Sequence, residues 1–600
     1  MEGKVMEGKS ERDRTWSKLR QQWDLLIVGG GITGAGLLRE AVRLGLKALL
    51  VDQRDFAWGT SSRSSKLVHG GLRYLKEGDF LLARAAVQER EELLADGPGL
   101  IDPLGFLLSV YKGDSPGRLL YGLGLSVYDL LAMRWSHTYH APEMFQMLAP
   151  RISREGLRGG FCYGDAQTDD ARLVLRVLLE AMAAGGEAIN YVAAEKLLFR
   201  ENPASGRRIV AGAVLRDTAG DRREEVRAQI VVNATGVWAD VLRSRLQAPP
   251  RMRPLRGSHL IFPAWRLPVA QALCFIHPAD SRPVFIFPWM GITLVGTTDV
   301  DHLDNLQEEP AISPDETAYL MAAVEAQFPS LNLTLDDVIS SFAGIRPVIG
   351  TGKADPSQES RDHVIWEEEG LLTVTGGKLT TFRRIAHDAL RAVHQRLPED
   401  ALHRLAAIGD MPILDPVAMD LLEGTGLEQE MQRRIIGRYG AAAATLVNGT
   451  PPEEREAIPG TNTLWAELRW ACRSEKVVHL DDLLLRRVRI GLLLPYGGAE
   501  FLERIRTICQ EELKWDDIRC REEERAYLDL WKRCYSLPPR EEIPDWKHLL
   551  QKALRDRDEK RRKKRRKRNR WAVAVIVAAS VAGIIACYFR RRKGRDKGND

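Results

Sequence analysis

DLLIVGGGITGAGLLREAVRLGLKALLVD, residues 24–52, decides the fold. An apolar run turns through glycines, continues into a helix-like stretch and closes on a second apolar run and an acid. The order reads strand, turn, helix, strand. Gly29, Gly31 and Gly34 form GxGxxG, with Gly30 as an extra glycine. Glycines there permit a tight turn and let the backbone approach a pyrophosphate at a helix N-terminus. Asp52 ends the second strand at the distance expected of an acid that accepts hydrogen bonds from an adenosine ribose. A lone GxGxxG is a weak signal, but strand, turn, helix, strand and acid in register is a strong one. The fingerprint does not by itself separate NAD from FAD.

From there to about residue 398, helical and strand-like segments are interleaved. SHLIF (258–262), VFIFP (284–288) and ITLVG (from Ile292) predict strands of a separate sheet, rich in β-branched and aromatic residues and bounded by Gly and Pro. VVNATG (231–236) and LLTVTGG (371–377) predict buried strands that end in glycine turns. The expected class is α/β: a Rossmann-like nucleotide-binding domain interleaved with a mainly antiparallel substrate-side sheet over 23–398. A helical C-terminal domain follows over 399–550, then a charged linker over 551–570. No internal repeat of solenoid length is present.

A chain of 600 residues exceeds one ordinary core, and 44% hydrophobic with 28% charged residues is a globular composition. Its net charge of +5 hides an asymmetry. Residues 555–600 hold 18 Lys+Arg against 5 Asp+Glu, a net +13, which leaves −8 for residues 1–554. An acidic body argues against nucleic acid as a partner. The seven cysteines form no CxxC pair, and the histidines show no HxH or HExxH spacing, so neither a disulfide framework nor a metal site is expected. The start, MEGKVMEGKSERDR, lacks the apolar core of a signal peptide and carries acids foreign to a transit peptide. Residues 1–22 are expected to be a disordered extension.

The other end reads WAVAVIVAASVAGIIACYF over 571–589, without a charge. As a helix it spans about 28 Å, close to a hydrocarbon core of about 30 Å. Residues 555–570 hold 12 basic and 3 acidic residues, and 590–600 hold 6 and 2. A transmembrane helix with a short tail over 590–600 is expected, in contact with the lipid bilayer. The richer leading flank keeps the body on the cytoplasmic side.

Further motifs follow the opening one in order: GTSSRSSKLVHGGLRYL (59–75), YGDAQTDDARLVL (163–175), NATGVWAD (233–240) and RGSHLIF (256–262). Then come FPWM and VGTTDV (287–300), AGIRPVIG (343–350), SRDHVIW (360–366), GGKLTTFRRIA (376–386) and LDDLLLRRVRIG (480–491). The set covers about residues 23–550 and resembles the FAD-dependent glycerol-3-phosphate dehydrogenases, within the wider D-amino-acid-oxidase-like flavoproteins. Val237 and Phe382 stand where that pattern has Pro and Tyr, and the spanning tail lies outside the resemblance.

The resemblance implies FAD as cofactor and sn-glycerol 3-phosphate as substrate, oxidised to dihydroxyacetone phosphate, with a membrane quinone as electron acceptor. Such chemistry needs cations for the phosphate, a base for the C2 hydroxyl and a carbon held over the flavin N5. By family position, Arg73, Arg346 and Lys378 contact the substrate, and Tyr74 adds a hydroxyl. Arg346 and Lys378 are also counted as catalytic, since a cation at Lys378 stabilises a reduced flavin. His259 is the candidate base, His363 a second choice, and His69 belongs near the flavin. Thr60, Ser61, Ser62, Gly236 and Thr380 join Gly29, Gly31, Gly34 and Asp52 around the cofactor. An anchored enzyme is concentrated near a lipid-soluble acceptor. An oxygen-using oxidase, a related flavoprotein oxidoreductase, and a flavin-binding membrane tether without turnover are the alternatives. A homodimer is compatible with all of them.

Overall fold

The computed structural model describes residues 11–71, 80–114, 117–133, 135–202, 206–280, 282–353, 359, 362–559 and 561–563. Strand Trp23–Val28 runs into helix Ile32–Arg43 and strand Ala48–Val51, as the opening stretch predicts. The two strands are parallel, with Leu25 opposite Ala48 and Val28 opposite Val51. Arg223–Asn233 and Leu371–Gly376, which contain VVN and LLTVTG, extend the same parallel sheet. Glu187–Ile189 closes one edge, and the antiparallel His363–Glu368 closes the other. A sheet covered on both faces needs continuous apolar runs, which these segments supply.

Helices Ile32–Arg43, Asp170–Ala183 and Phe382–Ala392 cover one face through Ala35, Leu38, Val174, Leu178, Ile385 and Ala389. The other face is covered by an antiparallel meander of Val192–Glu201, Arg208–Asp217 and the first half of Arg223–Asn233. Residues 11–22 are not the disordered extension expected of them. Helix Glu11–Lys18 leads Trp16 and Leu19 into that second core beside Leu26 and Leu215. The Arg12 guanidinium donates to the Asp217 carboxylate at 2.6 Å. Two apolar side chains among many charges carry the docking, too few to show as a periodic pattern.

The second sheet has ten strands and is antiparallel except where Ala272–Ile276 meets Ile101–Tyr111. SHLIF lies in Met252–Pro263, VFIFP in Pro283–Trp289, and ITLVG is Ile292–Gly296; these three pair antiparallel in register. Strand Ser340–Ile349 pairs along its whole length with Met252–Ile261. Beyond Glu399 the described chain is helical, and Leu483, Leu484 and Ile490 share a core with Phe106, Trp289 and Phe342 of this sheet. Residues 546–559 and 561–563 are helical with Leu550 buried, so the described part of the linker expected from 551 is helical. Among the described residues no helix is long and apolar enough to cross a membrane, and the stretch 571–589 lies outside them.

Candidate active site

The dinucleotide turn is built by close backbone approach. Gly29 has φ +117°, and a Cβ there would lie 2.4 Å from the Ala234 carbonyl oxygen. A Cβ on Gly34 would lie 1.8 Å from the Gly29 carbonyl oxygen, so the helix packs on the strand only as glycine. Gly31 caps the helix without a side chain, which leaves its positive end to an anion. Asp52 accepts the Gly30 N–H at 2.6 Å and the Arg54 N–H at 2.8 Å. Burial pushes its carboxyl up to about 7 against those two bonds.

Thr60–Ser62 forms a turn directly opposite. Ser61 Oγ accepts the Ile32 N–H at 3.0 Å, and Thr60 donates to the Ile345 carbonyl. Ser62 is buried, and its carbonyl accepts from Lys66 Nζ at 3.1 Å and from Arg489 at 2.8 Å. Gly236, at φ +60°, accepts at its carbonyl from Thr375 Oγ1 at 3.0 Å. Lys378 follows Gly376 and Gly377, both at positive φ, and Thr380 donates to the His69 carbonyl at 3.4 Å. A helix N-terminus whose cap residue is a glycine, an acid and a hydroxyl-lined turn fit a flavin dinucleotide.

His259 and Arg346 lie on neighbouring strands. His259 is opposite Phe342, and Arg346 is opposite Leu255, so all four point to one face. Gly257 and Gly344 lie between them as the intervening pair. A Cβ on Gly257 would lie 2.3 Å from an Arg346 guanidinium nitrogen, so that glycine makes room for the cation. The guanidinium therefore sits two residues, about 7 Å along the strand, from His259. It donates to Asp299 at 2.8 Å, Thr297 Oγ1 at 3.0 Å and the Thr298 carbonyl at 3.2 Å.

The His259 ring is buried, stacks on Phe342 at 4.5 Å with planes 10° apart, and meets Ser65 Oγ at Nε2 over 2.9 Å. Burial, then Lys66 and Arg346, hold its pKa well below the usual 6.5, so the ring is neutral at physiological pH. His363 is the opposite case. Asp362 and Asp388, each 3.2 Å from a ring nitrogen, push it up to about 9. That shift favours the protonated imidazole and disfavours His363 as a base. Arg73 and Tyr74 lie outside the described residues.

Sequence reasoning missed the charges beneath this loop. Lys66 Nζ is fully buried, 3.0 Å from Asp170 and 4.6 Å from the centre of the Phe342 ring. Burial and Arg489 bring its pKa down to about 8 despite Asp170. Arg489 donates to Asp170 at 2.7 Å, and Arg487 grips Asp55 at 2.6 and 2.8 Å. The helical domain thus holds the cofactor loop by buried ion pairs. Three arginines inside the apolar run LDDLLLRRVRIG were the available signal.

The comparisons with known proteins agree with this geometry. Residues 24–400 match the FAD dependent oxidoreductase family, and residues 402–520 match the C-terminal domain of alpha-glycerophosphate oxidase. The aerobic glycerol-3-phosphate dehydrogenase of Staphylococcus aureus is 35% identical over 499 residues, covering 80% of this chain and 88% of that protein. The crystal structure of glycerol-3-phosphate dehydrogenase from Bacillus halodurans with FAD superposes with TM-score 0.67 at 28% identity, covering 87% of this chain and 96% of that one. L-alpha-glycerophosphate oxidase from Mycoplasma pneumoniae, 18% identical with TM-score 0.50 over 62% of this chain and 95% of that one, shares the fold. FAD is the cofactor, and the chain belongs to the FAD-dependent glycerol-3-phosphate dehydrogenase family.

Proposed function

We propose that this chain oxidises sn-glycerol 3-phosphate to dihydroxyacetone phosphate and delivers the electrons to a membrane quinone. The observation that carries the reading is the placement of a neutral buried imidazole and a guanidinium on one strand face, beside the cofactor loop. Their spacing of about 7 Å along the strand suits a substrate with a hydroxyl at one end and a phosphate at the other. FAD, when bound, supplies the hydride acceptor at N5. His259 takes the proton of the C2 hydroxyl. Its Nε2 edge already meets a hydroxyl, that of Ser65, and proton transfer is assigned to that edge. Arg346, with Arg73, Tyr74 and Lys378, holds the phosphate by charge-assisted hydrogen bonds. Asp299 keeps the Arg346 fork pointed into the space above Gly257.

The choice of acceptor rests on the tail. Residues 571–589 form the membrane anchor in this reading, with the body on the cytoplasmic side, and a lipid-soluble quinone is the acceptor an anchor serves. Oxygen is the alternative, supported by the likeness of residues 402–520 to an oxidase domain. The test is anaerobic. Detergent-solubilised protein is titrated with sn-glycerol 3-phosphate while the visible flavin band is followed. Bleaching that a quinone analogue reverses at once, and oxygen only slowly, supports the proposal. Fast reoxidation by oxygen with peroxide release makes it an oxidase. A flavin band indifferent to glycerol 3-phosphate overturns the substrate and favours a tether without turnover.

A further inference from the structure

Thr297, Thr298 and Asp299 lie outside the ladder, between strand Ile292–Gly296 and strand Val300–Asp301. In consecutive positions they offer a hydroxyl, a carbonyl and a carboxylate oxygen to the Arg346 guanidinium. A guanidinium fork is only as well aimed as the acceptors behind it. What fixes 297–299 therefore fixes the cation.

Two attachments fix it, and both trace to helix Pro314–Gln327. Glu316 and Tyr319 are three residues apart and share a face of that helix. Glu316 accepts from Thr298 Oγ1 at 2.6 Å and from Ser258 Oγ at 2.9 Å, and Thr298 Oγ1 accepts the Ser258 N–H at 2.8 Å. The second attachment runs through Arg282. Strand Pro283–Trp289 has Phe285 opposite Gly296, and the same register carried past the ladder brings Arg282 opposite Asp299. The Tyr319 hydroxyl donates to Asp280 at 3.0 Å, and Asp280 accepts Arg282 Nε at 2.6 Å. The same guanidinium donates to the Asp299 carbonyl at 2.7 Å. The His277 ring stacks on Tyr319 at 3.8 Å, and its backbone N–H donates to the Arg282 carbonyl at 2.8 Å. The turn that carries Arg282 is thereby closed against the helix.

We propose that Arg282 is a positioning residue for the oxidation of the substrate: by holding the Asp299 carbonyl it keeps segment 297–299, and through it the Arg346 guanidinium, aimed at the substrate phosphate. The inference rests on the reading of Arg346 as a phosphate-binding cation. Without Arg282 the Arg346 charge is still present, but its acceptors are fixed only through Thr298. Phosphate binding then weakens, while proton acceptance at His259 is left as it was.

The test is steady-state kinetics of the detergent-solubilised, FAD-loaded full chain, with flavin content and melting temperature measured on the same samples. Arg282→Met removes both hydrogen bonds of the guanidinium. It should raise KM for sn-glycerol 3-phosphate about tenfold and change kcat by less than about twofold. Arg282→Lys, which can keep one of the two bonds, should recover part of that loss. A residue that acts through Arg346 has nothing to act on once Arg346 is gone. Adding Arg282→Met to Arg346→Ala should therefore change KM by less than about twofold, whereas independent effects multiply. An unchanged KM in Arg282→Met, or a rise that persists in the Arg346→Ala background, overturns the proposal. Should Arg282→Met fail to hold flavin, Asp280→Asn loosens the same guanidinium and is read in the same way, with a KM rise of about threefold. If Arg346→Ala leaves KM unchanged, the phosphate reading fails and this inference falls with it. A raised KM in Arg346→Ala beside an unchanged one in Arg282→Met rejects the positioning role alone.

Discussion

Ser65 Oγ lies 2.9 Å from His259 Nε2, and burial, then Lys66 and Arg346, hold the pKa of the same ring well below the usual 6.5. The hydroxyl orients the ring edge, and burial, with Lys66 and Arg346 after it, disfavours the protonated ring. The two effects are separable by experiment.

Replacing His259, the proposed base, by Gln should lower kcat by about 10²–10⁴-fold, the range of general-base catalysis. Ser65→Ala removes one hydrogen bond, worth about 1 kcal/mol, and should lower kcat by roughly 5–10-fold with KM little changed. The acid limb of kcat/KM should lie below pH 6.5, because the folded-state pKa is depressed and the ring stays neutral through the ordinary histidine range. An acid limb at or above 6.5 that vanishes in His259→Gln would mean the ring is not buried as the structure has it. The stability sign follows from the same shift. The unfolded chain binds a proton below about 6.5 that the folded ring refuses, so this group makes stability fall as pH falls through that value.

The Arg346 guanidinium lies directly over Gly257 and donates to Asp299 at 2.8 Å and to Thr297 Oγ1 at 3.0 Å. Loss of a bidentate cation from a phosphate costs roughly 1.5–3 kcal/mol, so Arg346→Ala should raise KM for glycerol 3-phosphate by about 10–100-fold. The flavin spectrum should be unchanged, because the dinucleotide turn is elsewhere. Arg346→Lys should recover part of the loss only, since an ammonium lacks the planar fork. Steady-state kinetics with flavin content measured on the same samples decide it; an unchanged KM takes Arg346 out of the phosphate site.

Much of this was legible in the chain. The glycines at 29, 31 and 34 announced the nucleotide fold: at 29 and 34 only glycine permits a Cα that close to another backbone, and at 31 a Cβ would press on the Ser61 hydroxyl. The buried strands at 231 and 371 showed as apolar runs closed by glycine because both faces of their sheet are covered. What stayed hidden depends on contacts between distant segments. Trp16 and Leu19 find their core only when the meander is folded, and nothing local marks them. His363 reads as a spare base in the sequence, but beside its neighbour Asp362 the fold adds Asp388 from a later helix, and the two raise its pKa. Ser65 is one of four serines in GTSSRSSKL, and only the fold shows which one reaches His259.

The Asp55 carboxylate receives Arg487 through two nitrogens at 2.6 and 2.8 Å and Arg486 through a third at 2.5 Å, all fully buried. Asp55→Asn takes the carboxylate from Arg487 and leaves Arg486 with Asp481 and Asp482 only, a loss of about 3–5 kcal/mol for a broken buried pair. The denaturant midpoint should drop accordingly, and flavin should dissociate more easily, because Asp55 stands four residues before the Gly59 end of the cofactor loop. Burial raises the Asp55 pKa, but Arg487 and Arg486 outweigh it and bring it down to about 2. The pKa is depressed, so the stabilisation is fully present above the unfolded value near 4 and is lost as pH falls from there toward about 2. Wild type should therefore show a steeper loss of stability between pH 4 and about 2 than Asp55→Asn, measured by chemical denaturation at each pH. A midpoint shift worth less than ~1 kcal/mol would show that water relieves the two arginines and that the helical domain does not hold the cofactor loop through them.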